Sequence, residues 1–141
     1  MRSKITAVLV LLAASAGLAS AEGYKVVVNP QNATASMKRA DVSRLFLRKL
    51  TTWPDGREVQ AIDQERVSPA RQAFSKAVHQ KDADAISSYW QVLVFSGRDV
   101  PPRIGRTDAE VLEFVKANPG AVGYVSEGAA LAGVKTLTVV P

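Results

Sequence analysis

Apolar residues in this chain recur with two different periods, and the alternation between them sketches the fold. Tyr24 to Asn29 (YKVVVN) is short and β-branched, as a buried strand is, and Pro30 stops it. Gln31 to Lys38 is polar and reads as loop. Asp41 is placed to cap a helix in which Val42, Leu45 and Phe46 share a face. Trp53-Pro54-Asp55-Gly56 is a turn signal, and Arg57 to Asp63 (REVQAID) reads as a second strand. Ser68-Pro69 is a helix start, with Ser as N-cap and Pro in the first turn, and Ala70, Ala73, Phe74, Ala77 and Val78 come after it at helical spacing. Asp84 opens a third helix with an apolar stripe of Ile86, Tyr89, Trp90, Leu93 and Val94, ended by Gly97.

The stretch from Gly97 to Arg106 reads as a Gly/Pro-rich loop carrying Arg98, Arg103 and Arg106. Thr107 and Glu110 have capping-box spacing before a helix that turns Val111, Phe114 and Val115 inward. Pro119-Gly120 breaks that helix. Ala121 to Ser126 (AVGYVS) and Lys135 to Val140 (KTLTVV) close the chain as strands. Strands separated by helices predict an α/β layer fold with a small mixed sheet flanked by helices.

The first residues have a different pattern. Arg2 and Lys4 precede an uncharged, mostly apolar run from Ile5 to Leu18, and Ala19-Ser20-Ala21 supplies a small-x-small cleavage site. Residues 1–21 are therefore expected to be a cleavable export signal, and 22–141 the mature domain. The apolar run is shorter than the ~20 residues of a membrane span. No later segment is apolar enough to cross a membrane, so a periplasmic or secreted location is expected. Loss of Arg2 and Lys4 lowers the formal net charge from +5 to +3. A charge of that size gives no reason to expect a nucleic-acid partner.

The chain has no cysteine and one histidine, His79. Thiolate metal sites, thiol catalysis and a multi-histidine metal site in one chain are excluded, and no cofactor is implied. Ser68 and His79, on one helix, lie roughly 16 Å apart along its axis, too far for a nucleophile–base pair, and an enzyme is not expected. His79 has a simpler explanation as a cation favoured near a helix C-terminus. Trp53 and Trp90 could stack on a ligand, but Trp90 lies on an apolar stripe, where core packing explains it.

The segment best suited to chemistry runs from Asp63 to Arg71, where a strand hands over to a helix. Backbone N–H groups at a helix start favour an anion. Ser68 can donate to an oxyanion, and Arg66 and Arg71 can add charge and forked hydrogen bonds. The plainer explanation is that Ser68 caps its own helix and the arginines are solvated.

Several stretches together are similar to another group of proteins: Val27-Val28-Asn29, Val42 to Lys49, Trp53, Ser68 with Phe74, Tyr89-Trp90, and above all Pro119-Gly120-Ala121-Val122-Gly123-Tyr124-Val125. In these the chain resembles the phosphate ABC-transporter substrate-binding proteins, of the type 2 periplasmic-binding-protein fold. The resemblance covers nearly all of the mature chain but implies a single lobe of a two-lobed family, without the first Ser/Gly-rich phosphate loop. Aligned on Ser68 and Phe74, the family's phosphate-binding Arg falls on Gln64, its Asp on Arg66, its first Gly on Val67 and its Gly-Thr pair on Pro69-Ala70. Ser68 alone is kept. The resemblance thus implies a site of Gln64, Arg66, Ser68, Ala70 and Arg71 for phosphate or a similar oxyanion, working with an ABC permease or a second copy of the chain. The other function open to such a lobe is an envelope interaction or accessory module with no small-molecule ligand.

Overall fold

The computed structural model describes residues 23–141, so the expected export signal lies outside the described residues. Among the described residues, seven strands and four α-helices are arranged in the order β1 (Tyr24–Val28), β2 (Ser36–Lys38), α1 (Arg39–Phe46), β3 (Gln60–Gln64), α2 (Pro69–Phe74), α3 (Ala83–Phe95), β4 (Arg103–Gly105), α4 (Asp108–Ala117), β5 (Ala121–Ser126), β6 (Lys135–Thr136) and β7 (Thr138–Val140). A π-helical turn, Ser75–His79, extends α2.

Five strands form one mixed sheet in the order β4-β3-β5-β1-β6. Strand β3 runs parallel to β4 and β5, while β1 is antiparallel to β5 and β6. The parallel neighbours need helical crossovers, which cover the sheet on both faces. The two-residue strand period shows the consequence. Val26 and Val28 of β1, with Val122 and Tyr124 of β5, join Phe46 and Phe74 on one face. Val27 and Val125 point the other way and meet Val111 and Val115 of α4. Central strands buried on both sides are apolar at successive positions, which is why YKVVVN and AVGYVS carry so little polar alternation.

Two glycines, Gly120 just before β5 and Gly123 within it, are fixed by close approach. A Cβ on Gly123 would stand 2.6 Å from Val111 Cγ1 and 2.8 Å from Ile62 Cγ2, so its absence lets α4 lie against the sheet. A Cβ on Gly120 would stand 2.1 Å from the carbonyl oxygen of Glu58. That glycine's own carbonyl accepts the Trp53 indole N–H at 2.8 Å, which fixes Trp53 in the core at 3% exposure.

Local signals located most elements, with shifts at their ends. Helix α1 begins at Arg39 with Lys38 in the N-cap position, and Asp41 sits in its first turn, paired with Arg44 at 3.2 Å. Asp82, not Asp84, caps α3, accepting from the Ala85 N–H at 2.8 Å. Ser68 and Thr107 cap as their sequence contexts predict. The second half of the capping box reaches one residue further back than expected, with Glu110 accepting from the Arg106 N–H at 2.8 Å. Three regions differ more. The 31–38 stretch ends in β2, the 97–106 loop contains β4, and the C-terminal stretch splits at buried Leu137 into β6, which pairs with β1, and β7, which pairs with β2.

The π turn corrects the reading of His79. One wide turn rotates the helix around its axis, burying Ser75, Val78 and His79 and leaving Ala77 at the surface. Gln80, at φ 55°, then stops the chain from continuing as helix. The His79 ring packs edge-on to Phe74, and its Nδ1 is hydrogen-bonded to Ser43 Oγ at 2.7 Å. Burial, with the positive charges of Arg71 and Lys81 adding to it, pushes its pKa down to about 4. His79 is therefore neutral at physiological pH, not a cation serving the helix dipole. Because the unfolded chain protonates near pH 6.5 and the folded one near 4, this contribution to stability is complete above pH 6.5 and falls as the pH drops. Urea unfolding at pH 7 and pH 4.5 is expected to show a loss of ~2–3 kcal/mol attributable to this group. The His79→Gln variant should lose correspondingly less between the same two pH values.

Candidate functional site

The candidate site lies where β3 ends. Asp63 and Gln64 are its last residues and both are buried. The C-terminal edge of neighbouring parallel strands, here β3 and β4, is where open α/β sheets bind ligands.

Three elements, β3, β5 and α2, meet around Asp63. Tyr124, from β5, donates its hydroxyl to Asp63 Oδ1. Arg71, from α2, donates Nη1 to Asp63 Oδ1 at 2.9 Å and to the Gln64 carbonyl at 2.8 Å. The Gln64 backbone N–H is shared between Asp63 Oδ1 and Tyr124 Oη, at 3.0 and 3.1 Å. The Arg71 and Asp63 side chains are 5% and 4% exposed, so this is a buried ion pair with little solvent screening. Burial raises the Asp63 carboxyl above its ordinary pKa, against the pull of Arg71 and the two further donors. Burial, and the Asp63 charge beside it, raise Tyr124 well above its ordinary value, so its hydroxyl keeps its proton and remains a donor.

Gln64 is the second hub. Its Nε2 donates to Asp108 Oδ1 at 3.0 Å and to the Tyr124 carbonyl at 2.9 Å, and its Oε1 accepts from Ser68 Oγ at 2.6 Å. Asp108 Oδ1 also accepts from the Ser126 N–H at 3.1 Å, tying α4 to the end of β5.

The five residues expected to form the site divide accordingly. Gln64, Arg66 and Arg71 line one cavity of about 490 Å³, together with Asp63 and Glu65. Ser68 does not line it: its hydroxyl donates to Gln64 and accepts the Arg71 N–H at 3.3 Å, capping α2. Ala70 is buried in the core beside Phe74. Arg66 is exposed and pairs with Asp84 at 3.1 Å. The arginines of the 97–106 segment do not line the cavity; Arg103 lies over the Phe114 ring at 5.5 Å.

The rest of the wall is mostly apolar: Trp90, Val94 and Phe95 from α3, with Pro101, Pro102 and Ile104, joined by the polar Ser87 and Gln91 of α3. Among the described residues, two buried N–H groups of this wall and floor have no acceptor, Arg71 Nε and Trp90 Nε1. Each such group left unpaired costs ~1–3 kcal/mol.

Three features of the site were not anticipated from sequence. Trp90 packs as expected, at 6% exposure, yet also forms cavity wall. Asp63 stood at the edge of the candidate segment, but its partner Tyr124 lies in a distant strand. Asp108 looks in sequence like an ordinary acidic residue of a helix's first turn. No local pattern marks either pairing.

No family model matches the sequence, and no curated protein matches it. Solved structures do. An ABC-type phosphate transport receptor from Vibrio cholerae superposes with a TM-score of 0.65 at 19% identity, over 83% of this chain and 46% of the receptor. A putative phosphate ABC transporter substrate-binding protein from Clostridium perfringens, solved with bound phosphate, gives 0.64 at 18% identity, over 85% and 47%. A possible phosphate-binding protein from Planctomyces limnophilus gives 0.62 at 17%, over 84% and 41%. The chain spans less than half the length of these structures. It has the substrate-binding-protein fold of that matched portion: a mixed sheet with helices on both faces.

Proposed function

We propose that the chain is an exported solute-binding protein that takes phosphate or a related oxyanion in the cavity at the end of β3, for an ABC-type uptake system, and that it is not an enzyme. The observation that carries this reading is the convergence of Gln64, Arg66 and Arg71 on one cavity. In this reading Arg71 and Arg66 attract the anion, and Gln64, whose amide is held by Asp108, Tyr124 and Ser68, shapes the cavity floor. Ser68 holds the Gln64 amide in place, and Ala70 seats the start of α2. The fold shared with a structure that holds phosphate supports the same ligand class. Among the described residues no helix is long and apolar enough to cross a membrane, in keeping with an exported protein in the periplasm or beyond it. An ABC permease or a second copy of the chain would complete the working unit.

A second reading is favoured by the cavity rim. Phe95 is 90% exposed and Val94 50%, and Asp63 offsets the charge of Arg71. An envelope interaction or accessory module without a small ligand would present such a surface.

Thermal melting of the purified protein in phosphate, sulfate and chloride at matched ionic strength separates the two. A ligand at 100 times its dissociation constant stabilises by about 2.7 kcal/mol. The expected result is a rise in melting temperature with phosphate or sulfate that exceeds the rise with chloride and shrinks in Arg66→Ala. An equal response to all three salts favours the interaction module.

A further inference from the structure

Residues 89–95 of α3 (YWQVLVF) are apolar at every position but Gln91. A helix segment apolar on all sides is ordinarily enclosed by protein. Here the helix buries Ala83, Ile86 and Trp90, and beyond Trp90 none of its residues is buried. Among the described residues seven large apolar side chains are exposed, and five of them, Val92, Val94, Phe95, Val100 and Ile104, lie between residues 92 and 104. Val94, Phe95 and Ile104 edge the cavity at the end of β3. Val92 precedes Phe95 by three residues and so lies beside it on the helix surface. Exposed apolar side chains gathered in one place mark an interaction face.

The shape of this face selects its occupant. It carries a projection and a recess side by side. Phe95, 90% exposed at the end of α3, is the projection. The cavity of about 490 Å³, walled by Trp90, Pro101, Pro102 and Ile104, is the recess. An unlike partner needs only one of these. A twofold axis uses both, because each copy then offers the other what it receives. The charges agree. The chain is basic overall, at +5, but the ionisable groups lining the cavity, Asp63, Glu65, Arg66 and Arg71, cancel, and Arg66 is paired with Asp84. Two copies therefore meet here without net repulsion. The area is also sufficient. A stable interface takes ~800 Å² from each partner. A phenylalanine supplies ~150–250 Å² and an exposed Val or Ile on the order of 80 Å², which makes this face the apolar centre of such a patch, with the polar residues around it as rim.

We propose that the chain forms a twofold-symmetric dimer through this face, with Phe95 of each copy seated in the cavity of the other. The dimer does not require an anion in the cavity, so sedimentation tests it separately from melting in phosphate and sulfate.

Analytical ultracentrifugation of the purified protein over a range of concentrations is expected to show a monomer–dimer equilibrium with a dissociation constant of about 1 μM or tighter. Phe95→Ala, at an exposed helix position where the circular dichroism spectrum should be unchanged, is expected to raise that constant about 30-fold or more, as loss of an aromatic anchor does. Ile104→Asp, which spoils the recess and keeps the projection, is expected to weaken the dimer as well. An equimolar mixture of the two variants should associate more tightly than either alone, because one of the two Phe95 contacts is then intact. A protein that stays monomeric far above that concentration, a dimer indifferent to Phe95→Ala, a mixture no tighter than its components, or growth into larger head-to-tail assemblies overturns the proposal.

Discussion

Replacing Arg71 with methionine is expected to destabilise the domain by ~3–5 kcal/mol at pH 7, because it leaves the Asp63 carboxylate buried without its cation. Asp63 is 4% exposed and has no solvent to fall back on, and Arg71 also serves the Gln64 carbonyl. The penalty arises from the unpaired charge rather than from loss of an attractive contact. The double variant Asp63→Asn/Arg71→Met, which removes both charges, should therefore recover most of the stability. The single variant should also lose less at low pH, where Asp63 can take up a proton. Urea unfolding of both variants measures this. A loss under about 1 kcal/mol in the single variant, the size expected of an exposed pair, would show that Asp63 and Arg71 are solvated.

Phe74→Ala is expected to cost about 3–5 kcal/mol, the range for deleting a buried aromatic ring. Against a total stability of ~5–15 kcal/mol for a domain of this kind, that is enough to leave a large unfolded fraction. Phe74 is fully buried and stacks on Tyr124 with ring centres 4.0 Å apart. Phe46 meets it edge-on at 4.7 Å and Tyr24 at 5.5 Å. The ring therefore fastens α2 to the face of the sheet that also carries Tyr124, the hydroxyl donor to Asp63. Damage here should reach the site as well as the core. Phe74→Leu, which fills part of the space, should lose clearly less in the same unfolding measurement. Equal losses in the two variants would mean that ring packing is not what holds α2.

How much of this was legible beforehand depended on range along the chain. Ser68-Pro69, Thr107 with Glu110 and Gly97 act on backbone groups within a few residues, and the helices they bound fall where their spacing predicts. The strands β1 and β5 were readable because burial on both faces leaves an uninterrupted apolar run. The site was half legible. The 63–71 segment, a strand-to-helix handover and so a local pattern, contributes Asp63, Gln64, Glu65, Arg66 and Arg71 to one cavity. Its chemistry was not legible: Ser68 turned inward to Gln64, and Arg71 found Asp63 rather than solvent. The stripe on α3 was misjudged at its end. Ile86 and Trp90 are covered, while Val94 and Phe95 run past the body that would cover them.

Amphipathic period, caps and turn residues determined by themselves an α/β domain with these elements, because each acts through neighbours a turn or a strand away. Strand order, the division of the 135–140 stretch between two sheets, the rotation of His79 into the core and the cavity between α3 and β4 were settled only in three dimensions. Those features depend on groups as far apart in sequence as Asp63 and Tyr124, or Val27 and Thr136. Such pairs form only when the whole chain has found an arrangement that buries its apolar faces and satisfies its buried polar groups together.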